Sequence, residues 1–136
     1  MATYTKFQCF VEDLAHGVHN FDSNTIKVAL SSAANAPSAS DDAVLGDITT
    51  IAAPAVNSVT LTKSSSGQPS GTYKYVPNDL TMTASGAVGP FQYVIIYNDT
   101  ATDDPLICFF DYGSEVTLHA NDTFKLDFGT ALFRLA

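Results

Sequence analysis

The chain of 136 residues contains no tryptophan, and only 6 of its residues are lysine or arginine. Against these few cations stand 14 aspartates and glutamates, which leave a formal net charge of −8. A field of that sign repels nucleic-acid phosphates and anionic membrane surfaces, so we expect neither nucleic acid nor membrane as a partner. The charge fits high solubility, or docking onto a basic protein surface.

Long apolar runs are lacking too. No stretch approaches the ~20 apolar residues that a membrane-spanning helix needs, and the first residues show no charged n-region followed by an apolar h-region. The sequence therefore predicts a soluble protein that is made inside the cell.

Cysteine is also scarce, with one residue near each end of the chain. Cys9 lies between Phe7 and Val11, and Cys108 lies between Leu106 and Phe110. Free cysteine is among the most often buried residue types, so this apolar company predicts two buried free thiols. A disulfide stays open at this stage, because separation in sequence does not fix distance in space.

The first segment of the chain has the apolar pattern of a helix. Four residues recur at the i, i+3, i+4, i+7 spacing of one helix face: Phe7, Phe10, Val11 and Leu14. This spacing predicts one short helix at about residues 4–15, capped by Thr3 or Thr5 and ended by Gly17. We expect its apolar face to lie on a β-sheet.

Short alternating segments follow this helix at regular intervals. The predicted strands are residues 25–31, 45–51, 55–63, 72–76, 80–84, 91–97, 106–112, 115–118, 123–128 and 131–135, and the predicted loops are residues 31–42, 64–71 and 85–90. The centre of residues 91–97 is continuously apolar, which indicates a strand covered on both faces, with residues 106–112 as its antiparallel neighbour. The series predicts a single β domain over residues 1–136, an antiparallel β-sandwich or barrel that is jelly-roll-like.

Two histidines near the predicted helix end are the first candidate metal ligands. His16 and His19 are three residues apart, and Asp13 and Asp22 are the nearest further donors. A zinc site needs more ligands than this pair supplies. Exposed histidines near a helix C-terminus, where the helix dipole favours them, are the interpretation that we prefer.

A second candidate is the acidic segment between the two strongest predicted strands. Asp99, Asp103 and Asp104 lie within six residues, and oxygen-rich loops attract Ca²⁺. The spacing matches no EF-hand, and Pro105 follows directly. We interpret the segment as the solvated tip of a hairpin.

Catalytic signatures are lacking as well. The chain contains no G-x-S-x-G, no H-E-x-x-H and no glycine-rich phosphate loop. In a helix, Cys9 and His16 would lie about 10 Å apart, too far for a thiolate–imidazole pair. The tyrosines are interpreted as cross-strand packing partners rather than as a sugar-binding face. We therefore predict no enzyme activity, and no catalytic, cofactor-binding or metal-binding residues.

Three segments carry a resemblance to a class of known proteins. They are residues 4–30 (YTKFQCFVEDLAHGVHN to TIKVAL), residues 89–100 (GPFQYVIIYNDT) and residues 104–129 (DPLICFFDYGSEVTL to DTFKLDFG). In these segments the chain resembles small virion structural proteins of tailed bacteriophages, of the capsid decoration or cement type. The matched segments are turn and core patterns, so no binding residue follows from them.

The resemblance implies a function, a partner and a location. It implies a decoration protein bound to the outside of the head, where it stabilises the major capsid protein lattice. It further implies a homo-oligomer, most simply a trimer at the lattice three-folds, located on the capsid surface of the virion after synthesis in the bacterial host cytoplasm. The alternative is a component of the tail tip or baseplate, or a host-adhesion protein.

Overall fold

The chain is mainly β. A computed structural model describes residues 2–136, in which ten strands and one α-helix follow one another in this order: β1 (Thr3–Lys6), α1 (Gln8–Ala15), β2 (Ile26–Ser31), β3 (Thr60–Leu61), β4 (Lys63–Gly67), β5 (Tyr73–Pro77), β6 (Leu80–Thr83), β7 (Val88–Asn98), β8 (Leu106–Leu118), β9 (Thr123–Leu126) and β10 (Phe133–Leu135). Three short 3-10 turns lie at Ala33–Asn35, Leu45–Asp47 and Pro69–Gly71.

The strands form three antiparallel sheets. The largest has the order β1-β8-β7-β2-β3, and the others are β10-β5-β4 and β6-β9. The hairpin of β7 and β8 is the centre of the largest sheet, with Ile96 opposite Cys108 and Val94 opposite Phe110. Antiparallel sheets with a single α-helix confirm the predicted mainly β fold class.

The central sheet separates two hydrophobic cores. Successive side chains of a strand point to opposite faces, so Val94 and Ile96 enter one core while Ile95 enters the other. The first, which we call the main core, also takes buried residues from the two smaller sheets and from α1. The second core is small, and its buried members are Phe7, Ala29, Ile48, Ile95, Leu106 and Phe109. The prediction that residues 91–97 are covered on both faces is therefore confirmed.

The predicted helix at residues 4–15 is wrong in its first half. Residues Thr3–Lys6 form β1, which pairs with β8 from Thr3 opposite Asp111 to Lys6 opposite Cys108. The helix begins at Gln8, and no side chain caps it, so neither Thr3 nor Thr5 has the predicted capping role. The alternation of Thr and Tyr in this segment suits a strand, and pairing with β8 satisfies its backbone. Gly17 follows the helix with a positive φ of 76°, as predicted.

This shift of the helix start separates the apolar residues that had been assigned to one face. Phe7 lies in extended backbone before the helix and belongs to the second core. Phe10 belongs to the main core, against Phe21 and Phe133. Val11 is 54% exposed, so it is not part of a buried face.

Five further assignments are corrected. The predicted strand at residues 45–51 contains a 3-10 turn, in which the Asp47 carboxylate accepts hydrogen bonds from the Ala43 and Val44 backbone N–H groups. The predicted strand at residues 55–63 is reduced to β3 and the start of β4, and the predicted loop at residues 64–71 contains most of β4, paired with β5. The predicted break at residues 85–90 contains the start of β7, and residues 115–118 continue β8. Tertiary pairing overrides weak local propensity in these polar segments.

Candidate functional site

The two candidate histidine ligands lie in different surroundings. His16 is exposed, with its Nδ1 3.9 Å from Glu12 Oε1. His19 is 7% exposed, and its Nδ1 lies 3.0 Å from Asn98 Nδ2. Over residues 2–136, no group of three histidine, cysteine or acidic side chains is placed to hold a metal ion.

The acidic segment lies in the turn between β7 and β8, which spans residues 99–105. Asp99 Oδ2 lies 2.9 Å from Lys27 Nζ, and the Asp99 N–H donates to the Thr25 carbonyl. Asp103 and Asp104 both adopt positive φ, at 67° and 52°. Burial and then the charge of Asp99 raise the pKa of Asp104. The three carboxylates are thus divided between an ion pair and a strained turn.

The two cysteines are free, and they differ in burial. Cys108 lies in the main core, and burial raises the pKa of its thiol far above the ordinary value. Cys9 is only partly buried, which corrects the prediction of two buried thiols; burial, followed by the charge of Asp13, raises its pKa as well. Thiolate chemistry at neutral pH is disfavoured at both positions.

An apolar groove lies between β8 and β9. Its cavity volume is about 220 Å³, and we call it the aromatic groove; it is lined by Ala2, Val94, Phe110, Tyr112, Phe124, Lys125, Leu126, Asp127 and Phe128. Tyr112 is 43% exposed and packs edge-on against Phe124, with ring centroids 5.4 Å apart. Tyr4, 40% exposed, packs in the same manner on Phe110 at 5.4 Å. These pairs agree with the interpretation of tyrosines as packing partners, but both rings remain accessible.

A bulge in β8 determines where Tyr112 lies. Tyr93 pairs with Asp111 and Phe91 pairs with Val116, so a single residue of β7, Gln92, lies opposite residues 112–115 of β8. Gly113 has a φ of 91°, and its N–H donates to Asp111 Oδ1, which also accepts from Gln92 Nε2. Bulges re-aim side chains in this way. Gly113, directly after Tyr112 in a predicted strand region, was the one signal of the bulge in the sequence.

Charge at the groove is mixed, because its lining holds one lysine, Lys125, and one aspartate, Asp127. Lys125 Nζ lies 3.6 Å from Asp79 Oδ2, so that cation has a carboxylate partner. Asp127 uses Oδ1 to accept from the Gly129 N–H, which leaves its other oxygen available to an incoming donor. With the net charge of −8 over the whole chain, the protein favours a partner whose surface is basic.

Comparison with known proteins gives no match: no protein-family model, no curated protein and no solved structure is similar to this chain. Within residues 2–136, no helix is long and apolar enough to cross a membrane. The function is therefore inferred from the residues themselves and from their geometry.

Proposed function

We propose that the chain is a non-enzymatic virion protein of a tailed bacteriophage, which decorates the outside of the head and stabilises the capsid. The observation that carries this proposal is the aromatic groove with the accessible Tyr112 in its lining. Tyr4, which is also accessible, packs on Phe110 of that lining. The resemblance of residues 4–30, 89–100 and 104–129 to small phage structural proteins supplies the class of partner, which is the major capsid protein lattice.

The size of the groove favours a protein partner over a small substrate. Pockets for small molecules commonly have volumes of ~300–1,000 Å³, whereas this cavity has about 220 Å³. Such a space accommodates one apolar side chain. Tyrosine is enriched at interfaces and at the residues that contribute most to binding, so Tyr112 at the groove is suited to anchor an apolar side chain of the capsid protein.

The net charge of −8 leads us to expect that the docking surface on the lattice is basic. An acidic domain is attracted to a basic lattice surface and repelled by other copies of itself in solution. The affinity for heads should therefore fall as salt concentration rises, because the Debye length shortens. On the lattice, repeated binding sites around three-fold axes would hold a trimer.

The proposal is tested by sedimentation of the purified protein with heads that lack it. We expect Tyr112→Ser to weaken binding by about tenfold or more, because a buried interface tyrosine often contributes ~2 kcal/mol. The control is Val11→Ser, which removes another exposed apolar side chain, from α1 and outside the groove lining. That variant should bind as the unmodified chain does.

Two results would overturn the proposal. One is that the unmodified protein does not sediment with heads at any salt concentration. The other is that Tyr112→Ser and Val11→Ser bind equally well. Binding to tails or to host cells, with none to heads, would instead support the alternative of a tail-tip, baseplate or host-adhesion protein.

A further inference from the structure

A buried histidine joins two segments that are far apart in sequence. The ring of His19 stacks on Phe21, with centroids 5.4 Å apart and planes at 26°, and it contacts Phe10 at 5.4 Å. Its Nδ1 lies 3.0 Å from the Nδ2 of Asn98, the last residue of β7. The residues between α1 and β2 are thereby attached to the turn that connects β7 and β8.

Backbone groups determine the orientation of the Asn98 amide. The N–H groups of Thr100 and Ala101 lie 3.0 Å and 3.2 Å from Asn98 Oδ1. Backbone N–H groups can only donate, so this atom must be the carbonyl oxygen. The opposite end of the amide is then the NH₂ group, which faces His19.

A second asparagine confirms this orientation. Asn98 Nδ2 also lies 2.9 Å from Asn24 Oδ1, and that oxygen accepts from the Asn20 N–H at 2.9 Å. Asn24 therefore presents an acceptor to Asn98, which must donate. The series of hydrogen bonds that leads through Asn98 to His19 begins at backbone N–H groups, which can only donate. The hydrogen positions along the series follow from these donors.

His19 Nδ1 must consequently accept a hydrogen bond, and the neutral ring carries its proton on Nε2. Nε2 is buried and has no hydrogen-bond partner within residues 2–136. A second proton, on Nδ1, would place an N–H donor opposite the NH₂ donor of Asn98. Rotation of the Asn98 amide would not relieve this, because the NH₂ group would then face the N–H groups of Thr100 and Ala101.

We propose that His19 and Asn98 form an acid-sensitive latch, which holds residues 16–25 against the β7–β8 turn and weakens as the pH falls below about 6.5. Two further contacts join the same segments and would open with the latch. The Thr25 N–H donates to Thr100 Oγ1 at 2.8 Å, and the Asp99 N–H donates to the Thr25 carbonyl at 2.9 Å. The latch does not depend on the proposed function in the virion.

Among the charged and titratable groups around the latch, the imidazole of His19 is the one that we expect to respond to pH. From α1, the carboxylate of Asp13 favours the protonated ring, but burial is the larger effect and lowers the pKa of His19. In residues 16–25, Asp22 is paired with Lys63 at 2.7 Å. At the end of β7, Asp99 is paired with Lys27.

The direction of the pH effect follows from this lowered pKa. In the open segment, His19 has the ordinary pKa of ~6.5 and takes up a proton below it, while burial keeps the latched ring neutral to a lower pH. Latching is therefore complete above about pH 6.5 and weakens as the pH falls. As the pH falls from about 7.5 to 5.5, the equilibrium constant for opening should rise by up to about tenfold.

Amide hydrogen exchange followed by NMR measures this opening. After correction for the intrinsic exchange rate, we expect protection of the Thr25 and Asp99 amides, whose hydrogen bonds join the two segments, to fall by up to about tenfold over that pH interval. The internal control is the Asn121 amide, which bonds the Ala84 carbonyl. Its protection should not follow the same curve.

Two variants separate titration of His19 from loss of packing. In His19→Asn, the side-chain oxygen can take the place of Nδ1 as acceptor, so protection is lower at every pH but no longer depends on it. The matched control is His16→Asn, which removes an exposed imidazole and should keep the pH dependence of the unmodified chain.

The proposal is overturned by a pH-independent opening in the unmodified chain, or by an equal pH response in His19→Asn. Nitrogen-15 shifts of the histidine rings give a check that needs no variant and remains available if His19→Asn does not fold. They should show Nε2–H in neutral His19, and a proton on Nδ1 instead would contradict the latch.

Discussion

The two faces of the central sheet are both apolar, yet they are covered in different ways. The main core is closed by strands of the two smaller sheets and by Phe10 of α1. The second core is covered largely by the connection between β2 and β3, from which Ala39, Leu45 and Ile48 reach the sheet. One face of the same strands is therefore covered by regular structure and the other mainly by a loop.

The difference lies in what holds each cover in place. The loop over the second core is attached by separate backbone hydrogen bonds, among them Gln8 N–H to the Ala39 carbonyl and Leu106 N–H to the Ala43 carbonyl. Strands over the main core are held by continuous ladders, such as β6 with β9. Segments with fewer cooperative hydrogen bonds open at lower free energy. We expect the second core to be the softer side of the molecule.

The largest difference between the two faces is expected when equal volume is removed from each core. Ile95 and Ile96 are adjacent in β7, both fully buried, and point to opposite faces. We expect Ile96→Ala to lower the free energy of unfolding by about 4–5 kcal/mol and Ile95→Ala by about 2–3 kcal/mol, because the loop can move into the space. Urea denaturation measures both, and equal losses would show that the two covers are equally rigid.

The two cysteines should also react at different rates, and this difference is expected to be smaller. Cys9 packs against the second core, and Cys108 lies within the main core. Because burial raises the pKa of both thiols, reaction with a thiol reagent at neutral pH depends on opening. We expect Cys9 to react at least about tenfold faster. In Cys9→Ser, the remaining thiol of Cys108 should react at the rate of unfolding; rapid labelling there would contradict the account.

Much of the β architecture was predictable, because β2, β7 and β9 carry clear patterns of apolar residues. The N-terminal segment was not predictable, because its side-chain pattern changes along residues 3–14. The pattern has the period of 2 of a strand at the start and the period of 3.6 of a helix afterwards. The helical spacing included Phe7, which the structure places before the helix. The strand β4, with three consecutive serines, has no apolar pattern at all, and pairing with β5 alone makes it a strand.

The functional features depended on contacts that no local pattern contains. The aromatic groove combines Tyr112 of β8 with Phe124 of β9 across a bulge. His19 meets Asn98 across 79 residues of sequence. From the sequence, His16 and His19 were both interpreted as exposed histidines near the helix end. That interpretation is wrong for His19, which is buried and bonds an amide at the end of a strand.

Counting this protein in purified virions, by quantitative mass spectrometry against the major capsid protein, tests the central claim most directly. Decoration of the head predicts a copy number on the scale of the capsid subunits. A handful of copies would contradict decoration and favour the tail, and complete absence from virions would contradict every structural role proposed for the chain.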